Sequence, residues 1–113
     1  MSAITTHVLD TARGRPAARV PVTLEQLSAE GWQTLGQGTT DDDGRLRHLL
    51  PDDFKLAAGV YRLIFDTGVY FGMQGVETFY PHAAVCFNVR DPAQHYHVPL
   101  LLSPYGYSTY RGS

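Results

Sequence analysis

Apolar side chains recur at every second position in four separate stretches of this chain, a period that suits extended strands and excludes an amphipathic helix there. Val20, Val22 and Leu24 alternate with Arg19, Pro21, Thr23 and Glu25. Tyr61, Leu63 and Phe65 repeat the pattern, as do Val85, Phe87 and Val89, and Tyr96, Val98, Leu100 and Leu102 form a longer row. Successive strand residues point to opposite faces, so each stretch presents one apolar and one polar side. Turn-forming residues separate them at Arg13-Gly14-Arg15-Pro16, Ala29-Glu30-Gly31, Asp43-Gly44, Ala58-Gly59 and Pro104-Tyr105-Gly106. Short, half-buried strands of this kind bury their apolar faces by packing two antiparallel sheets together, so the expected fold is all-β, a sandwich. Residues 68–75 break the alternation and are expected to hold a short helix. The whole chain, 1–113, is expected to form one domain, because two cores would leave each too small.

Bulk properties remove several classes of function. A chain that is 43% hydrophobic and 18% charged lies in the folded regime. Its net charge is −2 and its nine basic residues are scattered, so neither nucleic acid nor an anionic membrane is an implied partner. Cys86 is the single cysteine, which excludes an internal disulfide framework and any multi-cysteine metal cluster. Its place between Val85 and Phe87 suggests a packed small side chain in preference to a nucleophile. Residues 1–6 lack the charged head and apolar stretch of a signal peptide, and no apolar run is long enough for a bilayer, so a cytoplasmic location is expected.

The polar faces carry the chemistry. His95 and His97 lie two apart, opposite the row through Tyr96 and Val98, where they could act as bases, as metal ligands or as solvated polar residues. A metal would need a third ligand, and His7, His48 and His82 are distant and form no ligand motif. His7 is expected to project opposite Ile4, Thr6 and Val8. Arg45 leaves the Asp43-Gly44 turn, where a guanidinium could clamp a carbonyl or an anion or simply be solvated. The run Asp41-Asp42-Asp43 lacks calcium-loop spacing and suits a solvated turn. Ser103, Ser108 and Ser113 lie outside any nucleophile-elbow motif.

Three ordered motifs narrow these options. His95-Tyr96-His97-Val98-Pro99-Leu100-Leu101-Leu102-Ser103-Pro104-Tyr105-Gly106-Tyr107-Ser108-Thr109 followed by Tyr110-Arg111-Gly112-Ser113 resembles the C-terminal signature of the 5-hydroxyisourate hydrolases, which are transthyretin-like proteins. Thr6-His7-Val8-Leu9-Asp10-Thr11, with Gly14 and Pro16-Ala17 behind it, resembles the family's N-terminal motif, and Asp43-Gly44-Arg45 its central one. The resemblance implies a sandwich of two four-stranded sheets with one short helix, assembled as a homotetramer with sites at the interface between dimers. It implies hydrolysis of 5-hydroxyisourate to 2-oxo-4-hydroxy-4-carboxy-5-ureidoimidazoline in urate (purine) degradation, without metal or other cofactor. His7, Arg45 and His97 take the catalytic positions, and Tyr110, Arg111, Gly112 and Ser113 the substrate-binding ones; His95 is the less favoured alternative to His97. The rival expectation is a non-enzymatic small-ligand binding protein, since transthyretin carries hormones on the same fold. A metal-assisted hydrolase using His95 and His97 is the third.

Overall fold

The computed structural model of the chain describes residues 2–113. Among these residues nine strands are formed: β1 (Ile4–Asp10), β2 (Arg15–Pro16), β3 (Pro21–Ser28), β4 (Gly31–Thr39), β5 (Arg45–Leu46), β6 (Gly59–Phe65), β7 (Ala83–Val89), β8 (Tyr96–Ser103) and β9 (Gly106–Thr109). One helix, α1 (Thr67–Gly72), lies between β6 and β7, where the alternation breaks; it starts one residue before the expected segment and ends three residues short of it. One sheet has the order β4-β3-β6-β7 and is antiparallel throughout. The other runs β2-β1-β8-β9, with the two-residue β5 also paired to β1, so one of the two expected four-stranded sheets carries a short fifth strand.

The core forms where the alternating rows meet. Val22, Leu24, Tyr61, Leu63, Phe65, Val85 and Val89 from one sheet face Ile4, Val8, Tyr96, Val98, Leu100 and Leu102 from the other, all buried. Each large aliphatic residue removed from water contributes about 1.5–3 kcal/mol, so this double layer is the principal stabilising feature. The same alternation corrects the expectation for Cys86. With Val85 and Val89 turned inward, Cys86 falls on the opposite face of β7 and its thiol is exposed.

Two polar devices anchor the ends of β1. The buried Asp10 accepts a hydrogen bond from the Tyr70 hydroxyl of α1 (2.7 Å) and from the Arg13 amide (3.0 Å), tying helix and first turn to the strand. Burial, with the Asp10 carboxylate beside it, pushes the Tyr70 phenol above its ordinary value, so it stays a donor. Thr6 at the other end donates to the Val98 carbonyl (2.6 Å), fastening β1 to β8 through a side chain as well as the backbone.

Candidate active site

β1 and β8 run parallel, side by side, at the middle of their sheet, with Thr5 opposite His97 and His7 opposite Pro99. Neighbours at matched register point to the same side, so the sheet face away from the core brings Thr5, His7 and His97 together. On the other edge of β1, His7 is paired with Arg45 of β5. Arg45 arrives there through a turn that Asp41 organises: its carboxylate accepts the amides of Asp43 and Arg45, both at 2.9 Å. The Arg45 amide, assisted by that of Asp43 and by the charges of Arg47 and Arg45, holds the Asp41 carboxyl below its usual range. Gly44 completes the turn at φ +75°, and a Cβ there would lie 2.3 Å from the Val8 carbonyl, so the position requires glycine.

These groups border an open depression of about 190 Å³ lined by Thr5, Thr6, Arg45, Arg47, His95, His97 and Ser113. Thr5 Oγ1 lies 2.8 Å from His97 Nδ1 and 3.1 Å from His95 Nε2. The two imidazoles are stacked, with centroids 6.5 Å apart and planes 17° from parallel. Burial lowers the His97 pKa below its ordinary value, and the charges of Arg45, His95 and His7 add to the shift, so the ring is neutral at physiological pH. His7 sits next along the face without lining the depression. Its Nε2 is 2.8 Å from the Asp43 carbonyl, which can only accept, so Nε2 carries a proton and Nδ1 is the nitrogen left to exchange one. Arg45 forms no ion pair among the described residues, whereas Arg19, Arg47 and Arg62 each face a carboxylate.

The tail divides between two faces. Gly112 bridges to His97, its amide donating to the His97 carbonyl at 2.8 Å. A Cβ on Gly112 would come within 2.6 Å of His97 Cδ2, so only glycine lets the tail lie on the imidazole. Ser113 then reaches the depression. Arg111 turns the other way: its guanidinium sits 4.6 Å over the Tyr96 ring and donates to Gln94 Oε1 at 2.7 Å. Tyr110 and Arg111 line a separate hollow with Cys86, Phe87 and Val98 between the edges of the two sheets. Within one subunit the structure therefore gathers His7, Arg45, His97, Gly112 and Ser113 on one face and leaves Tyr110 and Arg111 on another.

Sequence reasoning passed over Thr5 and Arg47. Counting back two residues from His7 would have put Thr5 on the same polar face, but nothing local reveals that its partners lie some ninety residues away. Among the described residues no three His, Cys, Asp or Glu side chains converge as a metal ligand set.

Comparison with known proteins agrees with this geometry. Residues 4–112 match the HIUase/Transthyretin family. The chain is 50% identical over 110 residues to the 5-hydroxyisourate hydrolase of Salmonella dublin, covering 97% of this chain and 80% of that one. It is 47% identical over 117 residues to the 5-hydroxyisourate hydrolase of Caulobacter vibrioides, covering the full length of both. Among solved structures, the Klebsiella pneumoniae 5-hydroxyisourate hydrolase superposes with a TM-score of 0.87 at 36% identity over the whole of both chains. The transthyretin of Sparus aurata superposes with a TM-score of 0.91 at 34% identity, covering 99% of this chain and 97% of that one. The paired sheets, the face built on β1 and β8 and these matches lead to one conclusion: the chain belongs to the HIUase/Transthyretin family.

Proposed function

We propose that this chain is a 5-hydroxyisourate hydrolase of urate breakdown. Overall shape does not separate an enzyme from a carrier here, because a transthyretin and a hydrolase superpose about equally well. The single observation that carries the reading is the polar face itself, where a neutral, part-buried imidazole, a second imidazole held through Nε2 and a guanidinium with no ion pair among the described residues meet. A hydrophobic hormone would gain little from such a lining. Opening a cyclic amide needs a base for water and a positive group for the developing oxyanion.

His97, kept neutral, accepts a proton from the attacking water through Nε2, since Nδ1 is engaged by Thr5. Arg45 orients the substrate carbonyl and neutralises the charge that grows on its oxygen. His7 stands beside them: once its Nδ1 has taken up a proton, it donates that proton to the departing ring nitrogen and returns to the neutral ring. Gly112 and Ser113 bind the substrate edge next to His97. Tyr110 and Arg111 bind substrate from across a subunit interface, a role supported by their position on the far side of the tail. The assembly proposed is a homotetramer, supported by the shallow, open form of the site and by the exposed Phe79, Tyr105 and Tyr110 side chains. A reducing, cytoplasmic setting suits the exposed Cys86 thiol.

The experiment generates 5-hydroxyisourate from urate in situ and follows its decay spectroscopically with and without the protein. Accelerated decay, abolished by His97→Ala, is the expected result; decay at the spontaneous rate would overturn the hydrolase reading in favour of a binding protein.

A further inference from the structure

Thr5 occupies an unusual place for a threonine. It is only 3% exposed, yet among the described residues its hydroxyl hydrogen-bonds to no backbone group; both of its partners are imidazole nitrogens, His97 Nδ1 at 2.8 Å and His95 Nε2 at 3.1 Å. A hydroxyl has one hydrogen and two lone pairs, so the two nitrogens cannot both accept from Oγ1; and because this nearly buried hydroxyl has no other acceptor among the described residues, its hydrogen is satisfied only when it donates to one nitrogen and accepts from the N–H of the other. The protonation patterns of the two histidines are therefore locked to one another. Their surroundings differ: His97 is part-buried between Thr5, Gly112 and the cationic groups, while His95 is exposed at the entrance to β8.

We propose that Thr5 is a positioning residue that joins His97 and His95 into a proton relay, holding His97 in the Nδ1–H form and carrying the proton away to His95. This deepens the hydrolase reading and rests on it for the source of the proton. At rest, His97 Nδ1–H donates to Thr5 Oγ1, and the Thr5 hydroxyl donates to the bare Nε2 of His95. When water attacks the substrate carbonyl, one water proton goes to His97 Nε2, the Nδ1 proton moves to Thr5 Oγ1, and the Thr5 proton moves to His95 Nε2. The hydroxide equivalent ends on the carbonyl carbon and the oxyanion carries one negative charge. His97 and Thr5 are again neutral, and the balancing positive charge sits on His95. The direction follows from electrostatics. Burial and the charges around His97 disfavour an imidazolium there, whereas the exposed His95 ring can be hydrated. The charged or titratable groups facing the pair are Arg45 and Arg47 from β5 and the residue after it, His7 from β1 and Ser113 of the tail with its carboxylate; Arg111, on the other face, reaches only the His95 backbone carbonyl at 3.5 Å. Among the described residues no Asp or Glu side chain forms a hydrogen bond or ion pair with either ring, so exposure to solvent makes His95 the proton's station.

The test compares Thr5→Val, which keeps the shape and removes the hydroxyl, with Thr5→Ser, which keeps the hydroxyl, and with His95→Gln, which can accept the Thr5 hydrogen bond but cannot take up the proton. For hydroxyisourate decay, Thr5→Val and His95→Gln should each lower kcat by roughly tenfold or more, with KM changed less than about twofold; Thr5→Ser should stay within about threefold of the parent. The double variant Thr5→Val/His95→Gln should be no slower than the worse single one, because both break one relay. Additive losses, or equal losses in Thr5→Ser and Thr5→Val, would reduce Thr5 to a packing residue and overturn the proposal. A readout independent of turnover is the nitrogen-15 spectrum of the imidazoles at a pH where both are neutral. His97 should be Nδ1–H in the parent and move towards Nε2–H in Thr5→Val. A parent His97 already in the Nε2–H form would overturn the relay even if catalysis were intact. Conversely, a parent that leaves decay at the spontaneous rate while showing the expected tautomers would sink the hydrolase reading and keep the coupled pair.

Discussion

Individual side chains at this site act through single atoms. Replacing His97 or His7 by alanine should lower kcat/KM by roughly 10²- to 10⁴-fold, the usual cost of losing acid–base assistance, as measured by steady-state decay kinetics on variants shown to be folded by circular dichroism. The pH profile should carry the mark of the His97 environment. Its charged form is disfavoured, so the base stays neutral below the ordinary histidine value of 6.5, and kcat/KM should be level through neutrality and fall only on acidification below that point. The linked stability change has the same sign: the folded state binds fewer protons than the unfolded one, so this contribution is full above 6.5 and lost as pH falls through the lowered value. An acid limb centred above 6.5 would contradict the assignment of His97 as the base. A sharper residue-level test is Gly112→Ala. With 2.6 Å between its Cβ and His97 Cδ2, ring or tail must shift, so kcat should fall at least tenfold while the thermal midpoint moves little. At this scale the sequence was only partly legible. Alternation placed His7 and His97 on polar faces, and turn chemistry put Arg45 at the exit of the Asp43-Gly44 turn. Thr5 was missed because a small hydroxyl acquires meaning only from partners that tertiary structure supplies. Cys86 was misjudged because its apolar neighbours were weighed above its position in the alternation.

The secondary-structure elements were legible where one face is buried. β3, β6, β7 and β8 follow the apolar rows, since a one-residue slip would expose an entire row. β4 was not foreseen. Its sequence Gly31–Thr39 is mostly exposed or half-exposed, has three glycines and buries too little to leave a period, so it is a strand because β3 pairs with it. The parallel pairing of β1 with β8 was invisible for a related reason: alternation says which residues share a face and nothing about which strand lies beside them. The tail is the element whose role can be tested most directly. Ends of chains fray unless something ties them down, and here the Gly112–His97 bridge and the stacking of Arg111 on Tyr96 do so. Deleting residues 110–113 should cut kcat/KM by at least tenfold and leave the thermal midpoint within a few degrees, because the core contains none of them. Parallel melting and activity measurements check this; a truncated form that turns over normally would show the tail to be dispensable.

For the molecule as a whole, the proposed assembly has subunits complete one another's pockets, one presenting the open site and another the hollow that carries Tyr110 and Arg111. Activity per subunit should therefore fall on dilution in step with dissociation, observed by light scattering beside the decay assay. A monomer with undiminished activity would confine the site to one chain. The parallel β1–β8 pair has a kinetic corollary. Thr5 and His97 are separated by 92 positions, and their strands pair from Ile4–Tyr96 to Asp10–Leu102 in the sheet that bears the site. Contacts of such long range form late, after the loop between them has been closed against its entropy. The local hairpins β3–β4 and β8–β9 can form first, and the reactive face is assembled only when the beginning of the chain finds its end. Refolding followed by intrinsic fluorescence should thus recover its signal ahead of turnover, and a chain still being synthesised would remain chemically silent until β8 has been made.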